Sequence, residues 1–213
     1  WSIQIENLGA HGITVHPRPD ERHIRFSDVR EIAKHVKGEF NIEGYPDEAW
    51  LKLVEEVKPD QATLVPDPPH AITSNAGFKI QQAKDLLARV VKRLSGVRIS
   101  VFVDPYDFSK SDAETLHSIG VHRIELYTER FAEAFDGGVP LEPVLKKYRE
   151  AAEFARDVGL GVNAGHDLTS ENLKVLVENI PWLAEVSIGH ALVCDALEWG
   201  MKETIRRYLT ALN

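Results

Sequence analysis

The sequence predicts an α/β fold, a (β/α)8 TIM barrel with its first strand missing from the chain, and three observations carry that prediction. From residue 12 onward short apolar runs alternate with longer amphipathic stretches, the pattern of repeated strand–helix units on a parallel sheet. Polar residues collect at the end of every run, and no dinucleotide-type glycine turn follows any of them, which favours a barrel over an open doubly wound sheet. The runs number seven where a barrel needs eight. Residues 1–10 read as the last turns of a helix ending at Gly9, so a strand and part of a helix are expected in front of them.

The first run, Gly12 to His16, is β-branched and apolar until His16, where it breaks into Pro17-Arg18-Pro19-Asp20-Glu21-Arg22-His23. Two prolines stop the strand and hold Arg18 in a stiff, extended turn suited to binding. Further strands are expected at 39–43, 61–65, 98–103, 123–128, 160–164 and 185–188. The stretches between them predict helices over 27–37, with Ser27 as N-cap, and over 46–57, 79–94, 111–119, 141–158, 169–177 and 191–212. Gly38, Gly96, Gly120 and Gly159 follow four of these, where a residue tolerating positive φ turns the chain back toward the next strand. Trp50, Trp182 and Trp199 read as core residues.

At 213 residues and 43% hydrophobic content, with no break in composition, the chain is expected to form one domain over 1–213. Its 25 Lys and Arg against 33 Asp and Glu give a formal net charge of −8, which argues against a nucleic-acid surface. The single cysteine, Cys194, excludes an internal disulfide and thiolate metal clusters and fits a reducing, cytoplasmic setting. No run approaches the ~18 apolar residues of a membrane span, and the first residues lack the pattern of a signal peptide.

In a parallel barrel all strand C-termini open on one face, so residues ending different strands converge. His16, Glu43, Glu125 and His166 fall on that rim, together with Arg18, His23, Asp167 and the Gly189-His190 pair. Histidines working near neutral pH beside glutamates whose pKa a confined rim can raise suit proton shuffling over several steps. Gly189-His190 opens the last helical stretch, where free N–H groups bind anions and barrels often seat a phosphate; Gly165 and a helix starting at Thr169 offer a second set of donors. Arg18 supplies positive charge for another anion. His16, His23, Glu43, His166 and His190 lack a compact metal-ligand spacing, so no metal is expected. His11, His35, His117 and His122 read as structural or solvated, and His70 stays ambiguous.

Five blocks together resemble the pyridoxine 5′-phosphate synthase family, in order and over essentially the whole chain. They are Thr14 to Ile24, Glu39 to Gly44, Thr73 to Gly77, Val162 to Leu168 and Ile188 to Ala191. The resemblance implies a ring-closing condensation of 1-deoxy-D-xylulose 5-phosphate with 3-amino-2-oxopropyl phosphate, in a homo-octamer, with no metal or organic cofactor. It implies that His16 and Glu43 accept protons, His166 donates one and Glu125 supports the transition state. Arg18, His23 and Thr73 would contact the deoxyxylulose phosphate, and Asp167, Gly189 and His190 the aminoketone phosphate. Asp167 stands where some members carry glycine. Substrate contacts of the family's first strand have no counterpart in this sequence. Two other readings compete: a sugar-phosphate isomerase or aldolase, although no strand ends in the lysine of a Schiff-base aldolase, and an impaired, truncated barrel that only binds phosphorylated ligands.

Overall fold

The computed structural model describes residues 1–67 and 76–212. Seven strands, β1 (Gly12–Val15), β2 (Glu39–Gly44), β3 (Gln61–Leu64), β4 (Arg98–Val103), β5 (Arg123–Tyr127), β6 (Gly161–Gly165) and β7 (Leu183–Ser187), pair in parallel and in chain order. They curl into a nearly closed barrel, with no pairing between β1 and β7 among the described residues. Around the sheet run α1 (Ser2–Asn7), α2 (Phe26–Ala33), α3 (Glu48–Val57), α4 (Ile80–Arg93), α5 (Lys110–Ser118), α6 (Glu129–Phe135), α7 (Leu141–Asp157), α8 (Leu173–Asn179), α9 (His190–Trp199) and α10 (Met201–Ala211). Every expected strand is present within two residues of its expected ends. No described helix is long and apolar enough to cross a membrane.

Side chains alternate along a strand, and here the two faces differ in kind. One row set, including Ile42–Ala62–Ile99 and Leu64–Val101–Ile124–Val162, is fully buried and merges with Trp50, Leu53, Leu87 and Leu116 of the helices into one apolar core. The other set points into the barrel and is mostly polar. There Arg123 Nη1 lies 2.8 Å from Glu185 Oε2 and donates to Gln61 Oε1 at 3.2 Å, while Asn41 and Thr63 bond each other one layer higher. Contacts between β3, β5 and β7, which do not neighbour one another, require these side chains to meet inside the barrel. Val65, Phe102 and Tyr127 form a small separate apolar cluster.

Local chemistry corrects several expectations. Ser27 does not cap α2: Arg25 is the N-cap, its N–H donating to the Asp28 carboxylate at 3.1 Å, and Ser27 sits inside the first turn. The helix expected from Thr169 starts at Leu173, because Thr169 N–H donates to Asn172 Oδ1 and Asn172 N–H to Thr169 Oγ1, closing a turn that uses up the donors expected there for an anion. The stretch 191–212 is two helices, broken where Gly200 takes φ +77. Gly96, Gly120 and Gly159 have the positive φ expected of them; Gly38 does not, and is small because a Cβ would sit 2.4 Å from the His11 carbonyl oxygen. The short α6 was not expected. Of the tryptophans only Trp50 lies deep in the core; Trp182 packs at its edge under Arg156, and Trp199 stacks beneath Arg207.

Candidate active site

A cavity of about 1150 Å3 opens at the C-terminal ends of the strands and continues down between β1 and β7. His16, Arg18, His23, Glu43, Glu125, His166, Asp167, Gly189 and His190 all line it, so the rim residues read from the sequence meet in one space. Thr73 and His70 lie outside the described residues.

Glu43, near the end of β2, is held from behind. The Trp50 indole N–H donates to its carbonyl at 2.9 Å, and the following Gly44 lets that ring approach where a Cβ would clash at 2.1 Å. His16 Nδ1 stands 3.4 Å from Glu43 Oε2. Burial pushes the Glu43 carboxyl up, but the partnership with His16 and the nearby His166 outweigh it and hold the group below the usual carboxylate range. Glu125, inward on β5, behaves oppositely. Burial, then the negative charges of Glu43 and Glu185, drive it well above that range, so it keeps its proton. Neither of its oxygens has a hydrogen-bond partner among the described residues. Gly165 makes room for it, since a Cβ there would lie 2.2 Å from Glu125 Oε1.

After Gly165 the chain enters the left-handed region twice in succession, at His166 (φ +76) and Asp167 (φ +52), a conformation costly for residues with a side chain. The turn is clamped from both sides. Thr128 Oγ1 donates to the Gly165 carbonyl at 2.7 Å and reaches that of His166 as well; Asn172 Nδ2 donates to the Asp167 carbonyl at 3.1 Å. The His166 ring packs against Phe102 at 5.0 Å and edge-on to Tyr127 at 5.4 Å. Strain held this way fixes the imidazole at the mouth.

Cationic groups gather on the β1 side. Arg18 is buried and its Nη2 lies 3.3 Å from Asp67 Oδ2. His23 is pushed down by burial and by Arg22, Arg18 and His190, which places all four in one field. Gly189 stands at the N-terminus of α9, where no side chain among the described residues caps the first N–H groups. Among the described residues no three His, Cys, Asp or Glu side chains group closely enough to hold a metal ion. Reading strand ends places Asp67 and Thr128 on the rim without giving them a role and does not reach Asn172; all three act as supports that touch backbone or neighbouring side chains. Their only signal was position, directly after β3, after β5 and at the start of α8.

The model of the pyridoxal phosphate biosynthesis protein PdxJ family matches residues 1–213. The chain is 51% identical over 210 residues to a pyridoxine 5′-phosphate synthase of Chelativorans sp. (strain BNC1), covering 95% of this chain and 84% of that one. It is 49% identical over 214 residues to the synthase of Cytophaga hutchinsonii, covering 100% and 88%. Among solved structures, phosphoribosylanthranilate isomerase from Thermotoga maritima superposes with a TM-score of 0.62 at 14% identity over 99% of this chain and 91% of its own. Thiamine phosphate pyrophosphorylase from Pyrococcus furiosus does so at 0.63 and 11%, over 99% and 87%. These last two likenesses concern the fold alone. With a family match over its whole length and relatives at about half identity, the chain belongs to the PdxJ family of pyridoxal phosphate biosynthesis proteins.

Proposed function

We propose that this cavity condenses 1-deoxy-D-xylulose 5-phosphate with 3-amino-2-oxopropyl phosphate, closing the pyridine ring of pyridoxine 5′-phosphate and releasing phosphate and water. The observation that carries the site reading is the convergence of Glu43, His16, Glu125 and His166 on one cavity, with His16 Nδ1 3.4 Å from Glu43 Oε2; the same surroundings push the two carboxyls in opposite directions, Glu43 down and Glu125 up. Imine formation, dehydration, phosphate elimination and ring closure each move protons, and a site holding base and acid together serves them all. His16 and Glu43 accept protons, His166 donates one, and the neutral Glu125 donates a hydrogen bond to charge developing on the intermediate. Arg18 and His23, with Thr73, hold the deoxyxylulose phosphate. Gly189 and His190 offer α9's first N–H groups to the aminoketone phosphate, with Asp167 beside them.

The same reading makes the chain one domain over 1–213, working in the cytoplasm as a homo-octamer on small phosphorylated substrates without metal or cofactor. Its test is turnover with both substrates, detecting pyridoxine 5′-phosphate by mass and counting phosphate. Product that needs both substrates and is lost in His166→Ala is the expected result; a folded chain that binds either substrate and makes no product would contradict it.

A further inference from the structure

We propose that Asp67 is a positioning residue for one substrate: it grips the Arg18 guanidinium from behind and so fixes where the deoxyxylulose phosphate sits. The inference rests on the assignment of Arg18 to that phosphate. Arg18 and Asp67 are 8% and 6% exposed, and they come from the ends of β1 and β3, with β2 lying between. Arg18 borders two spaces, the main cavity and a small pocket behind the 16–19 loop. Asp67 borders the second, together with Tyr45, Asp47 and Trp50. The carboxylate lines the pocket behind the loop, and its contact with the substrate space runs through the Arg18 guanidinium it holds.

The physical reason is geometric. A guanidinium is a rigid plane of five donors on a long, flexible stem, and binding a phosphate in one place requires that stem to be ordered beforehand. Pro17 and Pro19 fix the backbone on either side of Arg18. Asp67 fixes the other end, and in a buried setting its charge also offsets a cation that would otherwise swing out to water. Trp50, which shares the pocket with Asp67, also donates to the Glu43 carbonyl, so one layer behind the rim sets both the phosphate anchor and the base.

The test is steady-state kinetics of Asp67→Asn, Arg18→Gln and the double variant, measuring kcat and both KM values. Asp67→Asn is expected to raise KM for 1-deoxyxylulose 5-phosphate about tenfold, leaving kcat and the other KM within about twofold, the size of one lost charge-assisted contact. The double variant should bind the deoxyxylulose phosphate like Arg18→Gln, because the effect of Asp67 on that phosphate runs through the Arg18 guanidinium. Should Asp67→Asn fail to fold with its buried cation uncompensated, the comparison of Arg18→Gln with the double variant, in which both charges are gone, still decides. Further loss in the double variant, or an Asp67→Asn defect spread equally over both KM values and kcat, would overturn the proposal. A raised KM in Arg18→Gln with none in Asp67→Asn would overturn the role of Asp67 alone; an unchanged KM in Arg18→Gln would remove the phosphate assignment and the role of Asp67 with it.

Discussion

The two faces of the barrel wall are built from the same strands and obey opposite rules. Outward residues such as Leu64, Val101, Ile124 and Val162 are apolar, fully buried and packed on helices. Inward residues one position away are Thr63, Ser100, Arg123, Glu125 and Asn163, in a space that barrels of this class usually fill with branched apolar side chains. The outward face carries the stability of the fold. The inward face gives up packing energy to hold charge and protons, and at its upper end that polarity becomes the candidate site. The difference teaches that a strand can specify an architecture on its even positions and a chemistry on its odd ones.

Substitutions on the two faces sharpen this contrast. Glu43→Gln removes the ionised inward base and is expected to lower kcat by about 10²–10⁴-fold, with the unfolding midpoint little changed, in parallel kinetics and thermal melts. Leu64→Ala, outward, is expected to do the reverse. It should cost about 2–5 kcal/mol, which at this chain length lowers the midpoint by roughly 2–4 °C per kcal/mol, while kcat per folded molecule stays near the parent value. Equal loss of activity from both would break the comparison.

A smaller effect concerns the lower, polar end. Burial and then the charge of Glu39 push Glu185 up to about 7, with Arg123 opposing. Because the folded chain holds this proton more tightly than the unfolded one, stability falls as pH rises from the ordinary glutamate value through about 7. Glu185→Gln does not titrate, so urea melts between pH 5 and pH 8 should show a shallower decline than those of the parent chain. An identical slope in both would place the Glu185 proton elsewhere.

The outward face was legible in the sequence because it obeys simple periodicity. Arg98-Ile99-Ser100-Val101 already alternates, and glycines punctuated the helix ends at 96, 120 and 159. The rim was legible because strand termini converge whatever their spacing in the chain, which brings His16, Glu43, Glu125 and His166 together from the sequence alone. Three things escaped. The break at Gly200 looked like the interior of a long amphipathic stretch, since periodicity does not register a single φ reversal. The turn at His166 and Asp167 carries no glycine to announce positive φ; Thr128 and Asn172 enforce it from other segments. The opposite protonation of two like carboxyls depends on the depth of Glu125 and on Gly165 beside it, a matter of tertiary distance alone.

That opposition is most directly tested by difference infrared spectroscopy of the carboxyl band at pH 8, where ordinary glutamates are ionised. The account predicts a protonated carboxyl band that disappears in Glu125→Gln and persists in Glu185→Gln. A parent chain without such a band, or one whose band survives Glu125→Gln, would show Glu125 ionised and contradict the pairing of a base with a neutral acid inside the barrel.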